Sequence, residues 1–209
     1  MSKAIKRREV KPAPKQERAR KRQSAILAAA ETLLVEGSPT DISTTSVALK
    51  AGIPVGSIYR YFEDKEDILE QLYHTAYNDV EASLVKMQAT LSTGSDVGQA
   101  VHRLLDIFWQ AARAHPTFVP LTRWANSHYS LWDVTPGQNS SLAQLIENTL
   151  LDAGVEIPDT RKTSAQKTLV TTVSVLADVI IEEDDADRAK AQIEELAILL
   201  EAYIGTFGR

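Results

Sequence analysis

The stretch TTSVALKAGIPVGSIYRYFEDK, residues 44–65, decides how this chain is read. Its spacing predicts two short helices joined by a turn that contains Gly52. Ser43 stands where a helix cap belongs, because its hydroxyl accepts from the free backbone N–H groups of a helix starting at Thr44. Gly52 suits the left-handed position where that helix ends, after Ala51. Pro54 then precedes a third helix over about 55–62. In that third helix Val55, Ile58 and Phe62 share one face, as Val47, Ala48 and Ala51 do in the second. Gly56, Ser57, Tyr59, Arg60 and Tyr61 are left pointing outward or sideways. This is the build of a helix-turn-helix, whose second helix enters the DNA major groove. DNA binding is the first expectation.

Upstream, a first helix from Lys15 carries Ile26, Leu27, Ala30, Leu33 and Leu34 at spacings of three and four, and Gly37, Ser38 and Pro39 stop it. Leu27, Ala30 and Leu34 are expected to pack on the next two helices as a three-helix core. Downstream, Asp64 caps a fourth helix starting at Lys65, with Asp67 in the position that answers a cap. Ile68, Leu69, Leu72, Tyr73, Ala76, Val80, Leu84 and Met87 keep its period. The segment STGSD, 92–96, is a clear break. Beyond it, helices are expected near 97–114, 117–131, 138–153, 160–183 and 187–207. Pro116, Pro136 with Gly137, Gly154, Pro158 and the acidic run 182–185 separate them. The β-branched run LVTTVSVLADVII, 169–181, is ambiguous, but its length favours a buried helix over a strand. The expected fold is all-α with about nine helices. It comprises a basic tail over 1–14, a helix-turn-helix domain over 15–73 and a larger helical domain over 74–209.

The totals narrow the function classes. A chain of 209 residues with 44% hydrophobic and 24% charged residues is ordinary for a globular protein. No uninterrupted apolar run reaches the roughly 18 residues that span a bilayer, so no membrane partner is expected. The charged start lacks the apolar segment of a secretory signal, which makes the cytoplasm the expected location. There is no cysteine, which excludes disulfides, thiol catalysis and thiolate zinc sites. His74, His102, His115 and His128 form no ligand pairing at metal-site spacing, and no Gly-x-Ser-x-Gly elbow or phosphate-binding glycine loop occurs. No metal, cofactor or catalytic activity is therefore expected. Asp184, Asp185 and Asp187 read as a solvated loop between helices.

The net charge of −5 is unevenly spread. Residues 1–22 hold ten Lys or Arg against Glu9 and Glu17, a net of +8, whereas 23–73 carry −5 and 74–209 carry −8. A basic arm beside a DNA-reading module attracts a polyanion while the acidic bulk stays away from it. An ordinary solvated terminus is the alternative.

The order and spacing of Thr44, Thr45, Ala48, Ala51, Gly52, Ile53, Gly56, Ser57, Ile58, Tyr59, Tyr61, Phe62, Lys65 and Leu69 resemble the N-terminal domain of the tetracycline-repressor (TetR) family. The likeness covers about residues 15–73, and the run GSIYRYFEDKEDIL, 56–69, is its most specific part. The resemblance implies a regulator that binds double-stranded DNA as a homodimer, usually as a repressor on a palindromic operator. It implies that Thr44 contacts phosphate and that Val55, Gly56 and Ser57 begin the base-reading helix. By the same resemblance Tyr59, Tyr61 and Lys65 contact phosphate, while Ile58 and Phe62 are core. The chain departs from many members at Thr45, where arginine is frequent, and at Pro54, where serine is common. Arg60, by its chemistry, reaches a phosphate or a guanine edge.

The second half carries no comparable motif, and the resemblance implies an effector-binding and dimerisation domain. Two features suit that role. Phe108, Trp109, Phe118, Trp124, His128, Tyr129 and Trp132 concentrate aromatic rings in one segment, with Arg123 and Asn126 interspersed. That composition suits a pocket for a small hydrophobic or aromatic effector as well as it suits plain core. The last two helices are apolar over a wide arc, through Leu169, Val173, Leu176 and Ile180 on one and Ile193, Leu196, Leu200 and Tyr203 on the other. Such helices need burial on more than one side. In the family the matching pair joins its counterpart in a second subunit, and burial within one subunit is the alternative. Two further readings stay open: a DNA-binding protein without an effector, and a helical enzyme using His128 with a nearby carboxylate.

Overall fold

The computed structural model describes residues 14–88, 96–129 and 141–207. The basic tail before Pro14, the turn at Pro136 and Gly137, and Trp132 lie outside the described residues. Among the described residues there is no strand, so the fold class is all-α as read from the sequence. The chain divides into two compact units, Met1–Ile68 and Leu69–Arg209.

The first unit begins with α1 (Pro14–Glu36), whose buried positions Ile26, Ala29, Ala30 and Leu34 make its apolar stripe. After Gly37 the chain does more than stop, because Pro39–Asp41 form a short 3₁₀ turn closed reciprocally. The Asp41 carboxylate accepts from the Ser38 backbone N–H at 3.0 Å, and the Ser38 hydroxyl accepts from the Thr40 N–H at 3.3 Å. Helix α2 (Thr44–Ala51) starts on the cap expected at Ser43. Ser43 Oγ accepts from the Ser46 N–H at 3.0 Å, and Ser46 Oγ accepts from the Ser43 N–H at 2.9 Å. Gly52 ends it at φ 64°, where a side chain would be strained.

The segment after Pro54 differs from the expected α-helix over 55–62. Val55–Arg60 is a 3₁₀ helix, held by bonds such as Ser57 N–H to the Pro54 carbonyl at 2.8 Å. Only its end widens, where the Phe62 N–H reaches the Ile58 carbonyl at 3.1 Å. A six-residue piece gains little from α winding, since the first turn of any helix fixes several residues for one bond. Its apolar face is as expected: Ile58 and Phe62 are buried, and they join Ile42, Val47, Ala48 and the α1 stripe in one core.

Helix α3 (Lys65–Gln88) begins on Asp64, whose carboxylate accepts from the Asp67 N–H at 2.9 Å. Asp67 answers to the Glu63 N–H at 3.1 Å, one residue earlier than a standard reciprocal cap. Helices α4 (Val97–Ala114), α5 (Phe118–His128), α6 (Ser141–Asp152), α7 (Lys162–Ile181) and α8 (Ala186–Ile204) follow. The β-branched run 169–181 is therefore helical, and α7 is long and apolar enough to pass for a membrane span by length and composition. Its Ala165, Leu169, Val170, Val173 and Ile180 instead join Val101, Leu105, Ile193, Leu196 and Leu200 in the core of the second unit. Asp185 is also more than solvated loop: it caps α8, accepting from the Asp187 and Arg188 N–H groups at 3.0 and 3.1 Å.

Candidate nucleic-acid interface and apolar cavity

On the first unit, α2 and the 3₁₀ helix bring their polar residues to one surface. Thr44 Oγ1 and Tyr59 Oη are 3.2 Å apart, although fifteen positions separate them in sequence. The contact spans the start of α2 and the middle of the 3₁₀ helix, so it fixes two hydroxyl groups side by side. Thr45, Gly56 and Arg60 are exposed, and Val55, Ser57, Tyr61 and Lys65 are half-buried. Tyr59 keeps 58% of its surface exposed, which a ring needed for the core would not do. Lys65 meets Glu66 at 3.7 Å across largely solvated side chains, a pairing that water weakens. Lys50, by contrast, is tied to Glu36 of α1 at 2.8 Å and braces α2 against α1.

Gly56 is informative because nothing in the chain requires it. Its φ is not positive, and a Cβ built there meets no atom within 4 Å. The protein therefore leaves bare backbone at an exposed position for no reason of its own folding.

The second unit holds a partly open apolar cavity of about 50 Å³, lined by residues of five helices. Val80 and Leu84 of α3, Leu104 and Phe108 of α4, Phe118 of α5, Leu145 of α6 and Val173 of α7 form much of its wall. Phe108 and Phe118 meet edge-on, with ring centroids 6.5 Å apart. Of the aromatic residues marked in the sequence, these two line the cavity. The others that the structure describes sit elsewhere. Trp109 packs on the core of the second unit under the Arg113 guanidinium, 5.8 Å away. Trp124 lies over His128 at 5.0 Å and meets Tyr129 edge-on at 5.8 Å, a cluster of its own on α5.

The polar members of the lining were not singled out from sequence: Tyr77 and Glu81 on α3, and Ser174 and Asp178 on α7. One signal was present, since Asp178 is the single charged residue inside the run 169–181. Burial first, and then the nearby Glu182 charge, push the Asp178 carboxyl up to about 7. Tyr73 and Tyr77 face it from α3, and burial drives both phenols upward. The folded-state value of Asp178 lies above the ordinary 3.8, so its contribution to stability is fully present below 3.8. That contribution is lost as pH rises through about 7.

The apolar arc of the last two helices divides in the same way between inside and outside. Leu169, Val173, Ile180, Ile193, Leu196 and Leu200 are buried within the single chain, and Tyr203 is half-buried against its core. Leu176 is exposed instead, together with Val179 on α7 and Ile198 and Leu199 on α8. These four line one open groove, whose floor includes Ile180 and Leu196. At the far end of α7, Arg113 donates to the Glu183 carbonyl at 2.9 Å and Arg123 pairs with Asp184 at 2.7 Å.

Comparison with known proteins follows the same division. Residues 26–72 match the family described as bacterial regulatory proteins, tetR family. Over 95 residues the chain is 32% identical to the HTH-type transcriptional regulator EthR of Mycolicibacterium smegmatis, covering 46% of this chain and 43% of that protein. The chain thus matches less than half the length of that curated relative. Among solved structures, a TetR-family transcriptional regulator from Pectobacterium atrosepticum aligns with a TM-score of 0.67 at 18% identity, over 92% of this chain and 96% of the other. One from Streptomyces coelicolor aligns with a TM-score of 0.60 at 23% identity, over 89% and 99%. At these identities the structural likeness speaks for the fold. The matched 26–72 stretch holds α2, the 3₁₀ helix, the Thr44–Tyr59 contact and the bare backbone at Gly56, and it is this stretch that is similar to the tetR family of bacterial regulatory proteins.

Proposed function

We propose that this protein is a DNA-binding transcriptional regulator, a repressor that grips a palindromic operator as a homodimer and lets go when a small apolar effector occupies the cavity. The observation that carries the reading is Gly56: exposed, unstrained backbone at the start of the segment that would enter the major groove. The neighbouring groups are those that phosphates attract. Thr44 and Tyr59 offer hydroxyls fixed to each other, and Arg60 and Lys65 offer charge. Lys65 is the cleanest probe of this arrangement. Lys65→Ala is expected to reduce the slope of log affinity against log salt concentration by about one unit. Fluorescence anisotropy over a salt series measures it, and an unchanged slope removes Lys65 from the contact set.

Dimerisation is supported by the groove of Leu176, Val179, Ile198 and Leu199, four large aliphatic side chains open on one face. Scattered exposed leucines are normal, but a contiguous set marks an interaction surface. A two-fold dimer matches a palindromic site whose half-sites lie about one DNA turn, or a small multiple, apart. Ile198→Glu buries a charge twice in such a symmetric interface. It is expected to weaken the dimer by roughly two orders of magnitude or more. Sedimentation at micromolar concentration reads the result, and a wild-type chain that sediments as a monomer overturns the dimer.

Effector release is tested by titrating candidate compounds into the protein–operator complex. Trp109 and Trp124 do not line the cavity, so calorimetry is a better readout of occupancy than tryptophan quenching.

A further inference from the structure

The cavity wall is uneven in chemistry. Two carboxylic acids, Asp178 and Glu81, reach it from different helices, and no Lys, Arg or His is among its lining residues. Among the described residues the Asp178 carboxyl has no hydrogen-bond donor and no cation as partner. The groups that face it are Tyr73, Tyr77 and Glu182, none of them positive. Arg113 of α4 and Arg123 of α5 are occupied elsewhere. Arg113 donates to the Glu183 carbonyl, and Arg123 donates to the Glu182 carbonyl and Asp184. Asn126 holds the Glu182 side chain at 2.7 Å. Asp178 and Glu81 are both half-buried at the cavity wall, and a cation brought in by a guest would compensate such an acid in its charged form.

The shape limits the guest further. A space of about 50 Å³ has room for only a few waters, since one water needs roughly 10–15 Å³ on this measure. Leu84, Leu104, Leu105, Leu142, Leu145 and Val173 give it aliphatic walls. A short alkyl chain suits so small a volume better than a fused-ring system.

We propose that the cavity takes a slim lipophilic cation, an alkyl chain ending in an ammonium group, with the carboxylate of Asp178 as its anchor and Glu81 as a second acid. This rests on the reading of the cavity as the effector site, but it concerns binding rather than release. Tyr77 and Ser174 place hydroxyls in the same lining, where they can accept from a primary amine. The bound cation then supplies the Asp178 carboxylate with the partner it lacks among the described residues.

The test compares three probes of equal chain length on the full protein by calorimetry: butylammonium, butanol and butyrate. The ammonium is expected to bind about tenfold or more tighter than butanol, with butyrate weakest. Asp178→Asn, close to isosteric, is expected to bring ammonium and alcohol to about equal affinity while butanol binding persists. Glu81→Gln, on another helix, gives a smaller loss of the same kind and serves if the first variant does not fold. Equal or tighter binding of butanol or butyrate to the wild type overturns the proposal, as does an ammonium preference untouched by both variants or no binding of any probe. Operator release is followed separately by anisotropy. Ammonium binding without release leaves this inference standing and overturns the effector reading. Release by neutral or anionic compounds alone does the reverse.

Discussion

Gly56→Glu is expected to weaken operator binding about a hundredfold or more and to leave the protein folded. The glycine is not required by the backbone, because the positive-φ glycines of the described residues are Gly52 and Gly154. Nor is it required by packing, since a side chain there points into open space. A surface substitution of this kind changes stability by about 0.5 kcal/mol or less. In the proposed DNA complex the same side chain would stand where the backbone approaches the groove, and it would carry the charge of the phosphates. The expected loss is about a hundredfold or more, roughly 2.7 kcal/mol. Anisotropy with operator DNA and a thermal melt of the same preparation separate the two effects. Equal DNA affinity in the variant removes the 3₁₀ helix from the interface.

Phe62→Ala is expected to have the largest effect on folding. Phe62 is 2% exposed at the end of the 3₁₀ helix, and it shares a core with Ile26, Ile42, Val47 and Ile58, each 1% exposed or less. Emptying such a site costs about 3–5 kcal/mol, against about 5–15 kcal/mol for the stability of a whole domain. A small unit buries a lower fraction of its surface than a large one, so its margin is narrow. Hydrogen exchange over residues 26–62 should rise by two orders of magnitude or more, and denaturant midpoints should fall. DNA binding is lost here through unfolding, whereas in Gly56→Glu it is lost with exchange unchanged. Protection in Phe62→Ala equal to that of the wild type contradicts the three-helix core.

The two variants also mark how much was legible in the chain. Caps and turns are local events, and they were readable. Ser43, Gly52 and Asp64 act within a few residues of themselves, and each stands where its chemistry predicts. The apolar faces of Ile58 and Phe62 followed from spacing. The winding of Val55–Arg60 did not, because a side-chain face at i and i+3 is common to α and 3₁₀ helices over six residues. Spacing also cannot say what covers an apolar face. Leu169, Val173, Ile193 and Leu200 have the period of an interface and of a core alike, and in the structure they are core. The exposed set at Leu176, Val179, Ile198 and Leu199 follows from the same period shifted by part of a turn. The cavity was half legible. Phe108 and Phe118 line it, but the tryptophans drew attention to a neighbouring cluster. A lone acid inside an apolar run, Asp178, was the better sign, since burial of such a group is costly without a purpose.

The most direct measurement is selection of bound genomic fragments by the purified wild-type protein, run beside Gly56→Glu. Enrichment of a palindromic site with half-sites about one helical turn apart, or a small multiple of it, is the predicted result, with the enrichment absent from Gly56→Glu. Fragments recovered without a shared sequence, or the same site recovered equally by both proteins, would contradict DNA reading by the segment 55–60.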